Sequence, residues 1–157
     1  MVREKVMQAL YAYEISKEPI ERIIDEIVDL KSQKQALTFA RQLITTVIEH
    51  QEEIDSKIKK QVANWEFNRI AVIDRILLEM GICELLYFED IPPKVTINEA
   101  IEIAKRFSTK KSGQFINGVI DSILADLKAK GQLKKSGRGL VDVTTHPKNT
   151  PSPIKEN

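Results

Sequence analysis

The sequence predicts an all-α protein with about seven helices in two packed helical subdomains. Apolar residues recur every three or four positions through most of the chain, which is the spacing of a helix that buries one face. No segment shows the strict apolar–polar alternation of a half-buried β-strand. Only three prolines occur in residues 1–133, and they lie where the apolar stripes are interrupted. Together these observations favour a helical bundle.

Each predicted helix is defined by an apolar stripe. The second helix starts at Pro19, because proline is favoured at the first helical position. The fifth helix is predicted to be long, from about residue 68 to residue 88. In chain order the seven stripes cover residues 6–13, 20–27, 37–48, 54–62, 70–84, 97–104 and 116–127.

The last two helices carry recognisable start signals. The paired prolines at positions 92 and 93 interrupt the chain, and Thr96 followed by Glu99 fits a capping box. The helix that begins there is predicted to end near Phe107. Ser112 is predicted to cap the final helix, after a polar turn.

A change in composition predicts a domain boundary near residue 133. Two of the six glycines and three of the six prolines lie in the final 24 residues, which show little periodicity. We therefore expect a helical domain over residues 1–133 and a disordered tail over residues 134–157.

Overall composition limits the classes of function. The chain of 157 residues has 24 Lys and Arg against 23 Asp and Glu, so a nucleic-acid binder that relies on bulk charge is disfavoured, but a local basic face is not. The single cysteine, Cys83, excludes an internal disulfide and a cysteine-based zinc site. No apolar run approaches the length of a membrane span, and no secretory signal precedes the first helix, so we expect a cytoplasmic protein.

Positive charge collects in one part of the chain. Residues 105–138 contain nine basic residues and two acidic ones. Such a segment attracts phosphate, and Phe107 beside Lys110 and Lys111 could stack on an unpaired base. Two other interpretations stay open: lysines near helix ends often only complement the helix dipole, and Phe107 also extends an apolar stripe that could be core.

The sequence contains no recognisable catalytic motif. The sequence has no glycine-rich nucleotide loop, no HExxH and no Glu-x-x-His pair for a di-iron bundle. Cys83 lies in an apolar helix and is predicted to be a packed small hydrophobe. We therefore expect no enzymatic activity and no cofactor.

Three stretches of the chain carry recognisable family motifs. They are REKVMQALYAYE (residues 3–14), WEFNRIAVIDRILLEMGICEL (65–85) and IPPKVTINEAIEIAKRFSTKKSGQFINGVID (91–121). Together they resemble the NusB family of bacterial transcription antitermination factors. The third stretch is the most specific, and the resemblance extends over roughly residues 3–133. It implies an all-helical fold with two subdomains side by side.

The resemblance also implies a function and a set of contact residues. Members bind the single-stranded boxA element of nascent ribosomal RNA together with NusE, a small-subunit ribosomal protein. Through other Nus factors and RNA polymerase, the complex suppresses premature termination. Asp74 and Glu84 are candidate contacts to NusE. The residues expected on the RNA side are Arg3, Lys5, Tyr11, Lys105, Phe107, Lys110, Lys111, Ser112 and Gln114.

Some matched residues are expected to be structural rather than functional. Gly118 is predicted to mark a close helix–helix contact, because glycine inside a helix costs about 1 kcal/mol relative to alanine. The chain also departs from the family pattern: it keeps only Arg3 and Lys5 of an N-terminal basic arm, and it carries a basic stretch over residues 128–138.

Two alternative functions remain open. The chain could be a protein-interaction module that does not use RNA. It could also be an inactive fragment of an enzyme, because NusB-like domains occur fused ahead of RNA methyltransferase domains.

Overall fold

The computed structural model describes residues 1–29 and 33–141, and this part of the chain is entirely helical outside its connecting loops. It contains eight α-helices and a short 3-10 helix, so the predicted fold class is confirmed. The elements are α1 (Val2–Ser16), α2 (Ile20–Ile27), α3 (Lys34–Glu49), α4 (Gln51–Gln61), α5 (Asn64–Phe67), α6 (Val72–Tyr87), α7 (Pro93–Phe107), α8 (Lys110–Ala129) and the 3-10 helix Gly137–Leu140.

The central element is α6, which packs against α1, α3 and α4 as well as α7 and α8. Every residue from Ile76 to Leu85 is buried. On one side α1 contacts α2 and α3, and on the other α7 and α8 pack together and α8 also meets α4. The two predicted groups of helices therefore share α6, and one continuous apolar core runs through both.

The predicted fifth helix is present as the single long helix α6, but it begins later than expected. Residues 68–71 form a break after the short α5, so α6 starts at Val72 rather than near residue 68. At the end of the break Ala71 has an extended conformation with φ −58° and ψ 143°. The apolar stripe continues through these residues, and it therefore gave no sign of the interruption.

The two predicted helix starts also need correction. Helix α7 begins at Pro93, because proline suits the first turn, where no backbone N–H is needed. Thr96 thus lies inside the helix, where its hydroxyl donates to Glu84 Oε1 at 2.7 Å instead of capping. The cap of α8 is Thr109, whose Oγ1 accepts the N–H of Ser112 at 3.0 Å.

The close helix–helix contact is made by a different glycine from the one predicted. Gly118 is exposed on α8, and a Cβ built there would meet nothing within 4 Å. At Gly81 on α6 a Cβ would lie 2.8 Å from Cδ1 of Ile120. Gly81 therefore permits α6 and α8 to approach, and the packing role predicted for Gly118 is wrong.

The first residues after the predicted domain boundary are ordered against α6. Lys135 Nζ donates to the carbonyls of Glu84 and Phe88 at 3.0 and 2.8 Å, which caps the carboxyl end of α6. Burial lowers the pKa of this lysine. Gly139 packs so closely on Glu89 that no side chain would fit. The disorder predicted from residue 134 is thus wrong for residues 134–141, and the rest of the predicted tail lies outside the described residues.

Among the described helices, none is both long and apolar enough to cross a membrane. Cys83 is fully buried, as predicted for a packed hydrophobe, and this burial raises the pKa of its thiol.

Candidate nucleic-acid interface

The loop between α7 and α8 brings together most of the exposed residues predicted to contact RNA. Its shape is fixed by three hydroxyl side chains. Ser112 Oγ lies 2.9 Å from Ser108 Oγ and 3.1 Å from Thr109 Oγ1, and it donates to Asp74 Oδ2 at 2.7 Å. These bonds tie the first turn of α8 to the start of α6 and hold the neighbouring lysines in a defined place.

Ser112 itself does not face solvent. It is a buried residue, and its hydroxyl is fully engaged by the loop and by Asp74. The prediction that Ser112 contacts RNA is therefore corrected: it positions the loop. The error arose because, in sequence, a serine among lysines looks the same whether it binds an anion or closes a turn.

Lys110 and Lys111 project from the first turn of α8 into solvent. Both are exposed, and neither forms an ion pair with any described residue. Gln114 is exposed on the next turn of the same face. The free backbone N–H groups at a helix start favour a negative charge as well. Two uncompensated ammonium groups, an amide and a helix start thus form a surface suited to phosphate.

Phe107 provides an aromatic surface beside these lysines. Its side chain is 37% exposed at the end of α7, and the Arg106 guanidinium lies 5.6 Å from its ring centre. An exposed ring with a cation beside it can stack on an unpaired base. Lys105 is exposed as well, but it forms an ion pair with Glu102 at 3.1 Å. Of the two interpretations of Phe107, the exposed platform is favoured over a core position.

The first helix contributes less than predicted. The Arg3 side chain is only 12% exposed and is held by Glu84 at 2.7 Å, by Glu99 at 3.5 Å and over the Phe39 ring at 5.0 Å. Burial alone would lower the pKa of this guanidinium, but the Glu84 and Glu99 carboxylates raise it above its ordinary value. Arg3 is thus an internal ion-pair residue rather than an RNA contact.

Lys5 and Tyr11 remain accessible. Lys5 is half-buried, and it follows Glu4, which pairs with Arg106 and so brings the start of α1 to the end of α7. Tyr11 is exposed on the outside of α1. Lys5 therefore lies at the end of α1 that meets the end of α7, whereas Tyr11 lies about two turns further along α1.

The two predicted partner contacts have different surroundings. Glu84 is 1% exposed, and its oxygens are occupied by Arg3 and Thr96. A direct contact between this carboxylate and a partner is therefore ruled out in this conformation. Asp74 is also buried, but its Oδ1 has no hydrogen-bond partner in the described part of the chain.

Asp74 lines a surface cavity that the sequence did not indicate. The cavity has a volume of 470 Å³ and lies between α5, α6 and the start of α8. Trp65, 60% exposed, forms one wall, with the Arg69 guanidinium 5.9 Å from its ring. Lys111 forms part of another wall. The sequence marks Trp65 only as a family landmark, because exposure of a tryptophan at a helix end cannot be read from spacing.

The fold and this surface define a class: an all-helical protein with a local basic and aromatic face on a nearly neutral molecule. A sequence model of the NusB family matches residues 1–125. The chain belongs to the NusB family. This confirms the resemblance that the three sequence motifs indicated.

The relatives agree in sequence and in structure. The chain is 46% identical over 155 residues to the transcription antitermination protein NusB of Chloroherpeton thalassium, covering 98% of this chain and 74% of that protein. It resembles T. maritima NusB with a TM-score of 0.75 and 41% identity, over 84% of this chain and 95% of that one. It also resembles a chain in a crystal structure of the antitermination factors NusB and NusE in complex with dsRNA, with a TM-score of 0.72 and 28% identity over 80% and 94% of the two chains.

Proposed function

We propose that this protein is a cytoplasmic, non-enzymatic transcription antitermination factor that binds the boxA element of nascent ribosomal RNA together with NusE. In this role it suppresses premature termination by RNA polymerase, which it reaches through other Nus factors. Family membership supports the general role, and two relatives that are 46% and 48% identical are transcription antitermination proteins. RNA binding is supported above all by Lys110 and Lys111, two exposed lysines without an ion pair among the described residues, which lie beside the exposed Phe107 ring.

The arrangement suits single-stranded rather than double-helical RNA. Unpaired bases need a flat apolar surface, while the backbone needs cations at the edge of that surface. Phe107 supplies the first, and Lys110 with Lys111 supplies the second. Lys5, Tyr11, Lys105 and Gln114 flank this centre.

The Asp74 cavity is the proposed contact for NusE. A buried carboxylate oxygen without a donor is costly, and an incoming Arg, Lys or N–H group would satisfy it. The exposed Trp65 ring beside it offers the large aromatic anchor that is typical of binding hot spots. Because Lys111 also lines this cavity, NusE bound there could contact both this protein and the RNA held by Lys111.

A charge-reversal experiment tests the RNA surface. We expect the double variant Lys110→Glu with Lys111→Glu to bind labelled boxA RNA more weakly than the wild type, as measured by fluorescence anisotropy. The salt slope should fall by about 1.4, since each phosphate that a lysine no longer neutralises lowers it by about 0.7 on a single strand. The matched control is Lys34→Glu with Lys94→Glu, which changes the same charge at exposed sites in the first turns of α3 and α7.

The two variants separate a local contact from a general charge effect. If both weaken binding equally, or if neither does, the loop is not the RNA surface. Circular dichroism of each variant checks that the helices are intact. A scrambled RNA of equal length checks that wild-type binding is selective.

A further inference from the structure

A second cavity, separate from the proposed RNA surface, lies between α1, α3 and α6, beside the start of α4. It has a volume of 380 Å³ and is partly enclosed by these helices. Sites for small molecules have volumes of roughly 300–1,000 Å³. None of its lining residues belongs to the proposed RNA surface or to the Asp74 cavity. We call it the α1–α3–α6 cavity.

The lining of this cavity combines apolar side chains with a few polar ones, which is the composition typical of a ligand site. The apolar and aromatic residues are Leu10, Tyr13, Val47, Ile48 and Ile76, and the polar residues are Glu14, Lys17, Gln51 and Glu79. The residues that α3 contributes are all apolar. An apolar ligand chain can therefore be buried here while its polar end finds hydrogen-bonding groups.

Glu79 is the buried polar group of the lining. It is only 2% exposed, and the donors that reach its carboxyl oxygens are distant. Arg75 Nη1 donates at 3.2 and 3.4 Å, and Gln51 Nε2 donates at 3.5 Å. A hydrogen bond between a cationic donor and a carboxylate is ordinarily about 2.7–2.9 Å long. Glu79 thus lacks a close donor among the described residues.

Carboxyl groups outnumber cations around Glu79. The Asp55 carboxyl from α4 hydrogen-bonds to that of Glu79, and Asp55 Oδ1 is buried without a partner in the described part of the chain. Glu14 from α1 pairs with the same Arg75 guanidinium as Glu79 does. Burial and the Asp55 carboxyl raise the pKa of Glu79, so this group retains a proton that a bound cation would displace.

We infer that the α1–α3–α6 cavity binds a small primary amine that carries an apolar chain. The ammonium group brings three N–H donors to Glu79, and the chain packs on the apolar lining. Binding releases the Glu79 proton to solvent, so that the ammonium meets a carboxylate. Lys17 is an exposed residue of the lining, and its charge disfavours a second cation on the ligand. The ligand is therefore a monoamine rather than a diamine, and its site goes beyond the proposed function.

Isothermal titration calorimetry of the full chain with four six-carbon compounds tests this inference. The compounds are hexylamine, hexanol, hexanoate and hexamethylenediamine. Hexylamine should bind at least about tenfold more tightly than the other three, because a hydrogen bond to a charged group is stronger than one between neutral groups. Equal binding of hexylamine and hexanol, tighter binding of hexanoate, or no binding of hexylamine would overturn the inference.

The pH dependence provides a second readout in the wild type. The affinity for hexylamine should rise as pH increases toward about 8 and then level off, because a proton must leave Glu79 below this pH. The ligand stays charged in this range, since an alkyl ammonium has a pKa of about 10.4. Hexanol binding should not vary with pH. An affinity for hexylamine that does not vary with pH would contradict the inferred contact with Glu79.

Variants identify the groups that recognise the ligand. Glu79→Gln should weaken hexylamine binding about tenfold and remove its pH dependence, while Glu52→Gln, which removes an exposed carboxylate of α4, should change neither. Lys17→Asn should improve binding of hexamethylenediamine more than that of hexylamine. Asparagine is chosen because Lys17 has a left-handed backbone with φ 59°. Unchanged hexylamine binding in Glu79→Gln would reject the site.

A lysine side chain of another protein presents the same chemistry as a free amine. Nα-acetyl-lysine methylamide distinguishes the two sources, because its backbone amides do not fit a partly enclosed cavity as a simple chain does. It should bind at least about tenfold more weakly than hexylamine. Equal binding would assign the cavity to a protein side chain and overturn the inference of a small-molecule ligand.

Discussion

Arg3 was predicted to contact RNA, but in the structure it forms an ion pair with Glu84, and this structural role can be tested by measuring stability. The Glu84 carboxylate is 1% exposed and accepts from Arg3 Nε at 2.7 Å and from the Thr96 hydroxyl at 2.7 Å. Arg3→Met would leave this charge buried with one hydrogen bond. Removing one partner of a buried pair costs about 3–5 kcal/mol, and the surviving Thr96 bond places the expected destabilisation near the lower limit, about 3 kcal/mol.

Urea unfolding, followed by circular dichroism, measures this destabilisation. The double variant Arg3→Met with Glu84→Leu removes both charges, and we expect it to be more stable than Arg3→Met alone, because replacing a whole buried pair by apolar groups is often nearly neutral. Lys5→Met is the control, since Lys5 is half-buried on the same helix and has no ion pair among the described residues. A destabilisation below about 1 kcal/mol in Arg3→Met, together with RNA binding as weak as in the Lys110 and Lys111 double variant, would refute the structural role of Arg3.

Three further predictions concern the core and the stacking surface. Burial and the nearby Asp55 carboxylate raise the pKa of Glu79 from 4.5 to about 8. Because the folded state binds this proton more tightly than the unfolded state, the free energy of unfolding should fall as pH rises through that interval. Glu79→Gln should flatten the dependence of melting temperature on pH, and an unchanged profile would contradict this prediction. Gly81→Ala should destabilise the protein, because the added Cβ would lie 2.8 Å from Cδ1 of Ile120. Gly118→Ala should stabilise it by about 1 kcal/mol, since alanine is the better helix former and has open space there. Melting temperatures in the opposite order would contradict this interpretation. Phe107→Ala should weaken RNA binding by about 1–3 kcal/mol in anisotropy titrations with little change in melting temperature; equal effects on both would indicate a core role.

The sequence predicted the fold class because α-helical periodicity is a local property. The stripes of α3, α4 and α8 can be read directly from the spacing of apolar residues. The start of α7 was misplaced because Pro93 and Thr96 both carry valid start signals, and only the packing of Thr96 against Glu84 decides between them. The start of α6 was predicted about four residues too early because Ile70 continues the apolar pattern.

The site was predicted only as far as chain neighbours define it. Lys110, Lys111 and Phe107 are close in sequence, so their clustering needed no tertiary information. Ser112 and Arg3 were misassigned because a hydroxyl or a guanidinium looks the same in sequence whether it faces solvent or an internal carboxylate. Contacts such as Arg3 with Glu84 span 81 residues and depend on how helices cross.

The Asp74 cavity is a feature of the site that could not be predicted from the sequence. Asp74 was a candidate for its family position, but its unpaired oxygen arises from three segments meeting. Trp65 and Phe115 come from two of these segments, far apart in the chain. Neither residue type nor spacing reveals that such a space exists.

The proposed function requires that this protein and NusE bind boxA RNA jointly. The most direct measurement is the anisotropy of labelled boxA RNA titrated with this protein, with and without NusE, using wild type and Asp74→Asn. We predict selective binding that tightens with NusE, and a smaller NusE effect in Asp74→Asn. Equal binding of boxA and scrambled RNA that NusE leaves unchanged would contradict the proposed function.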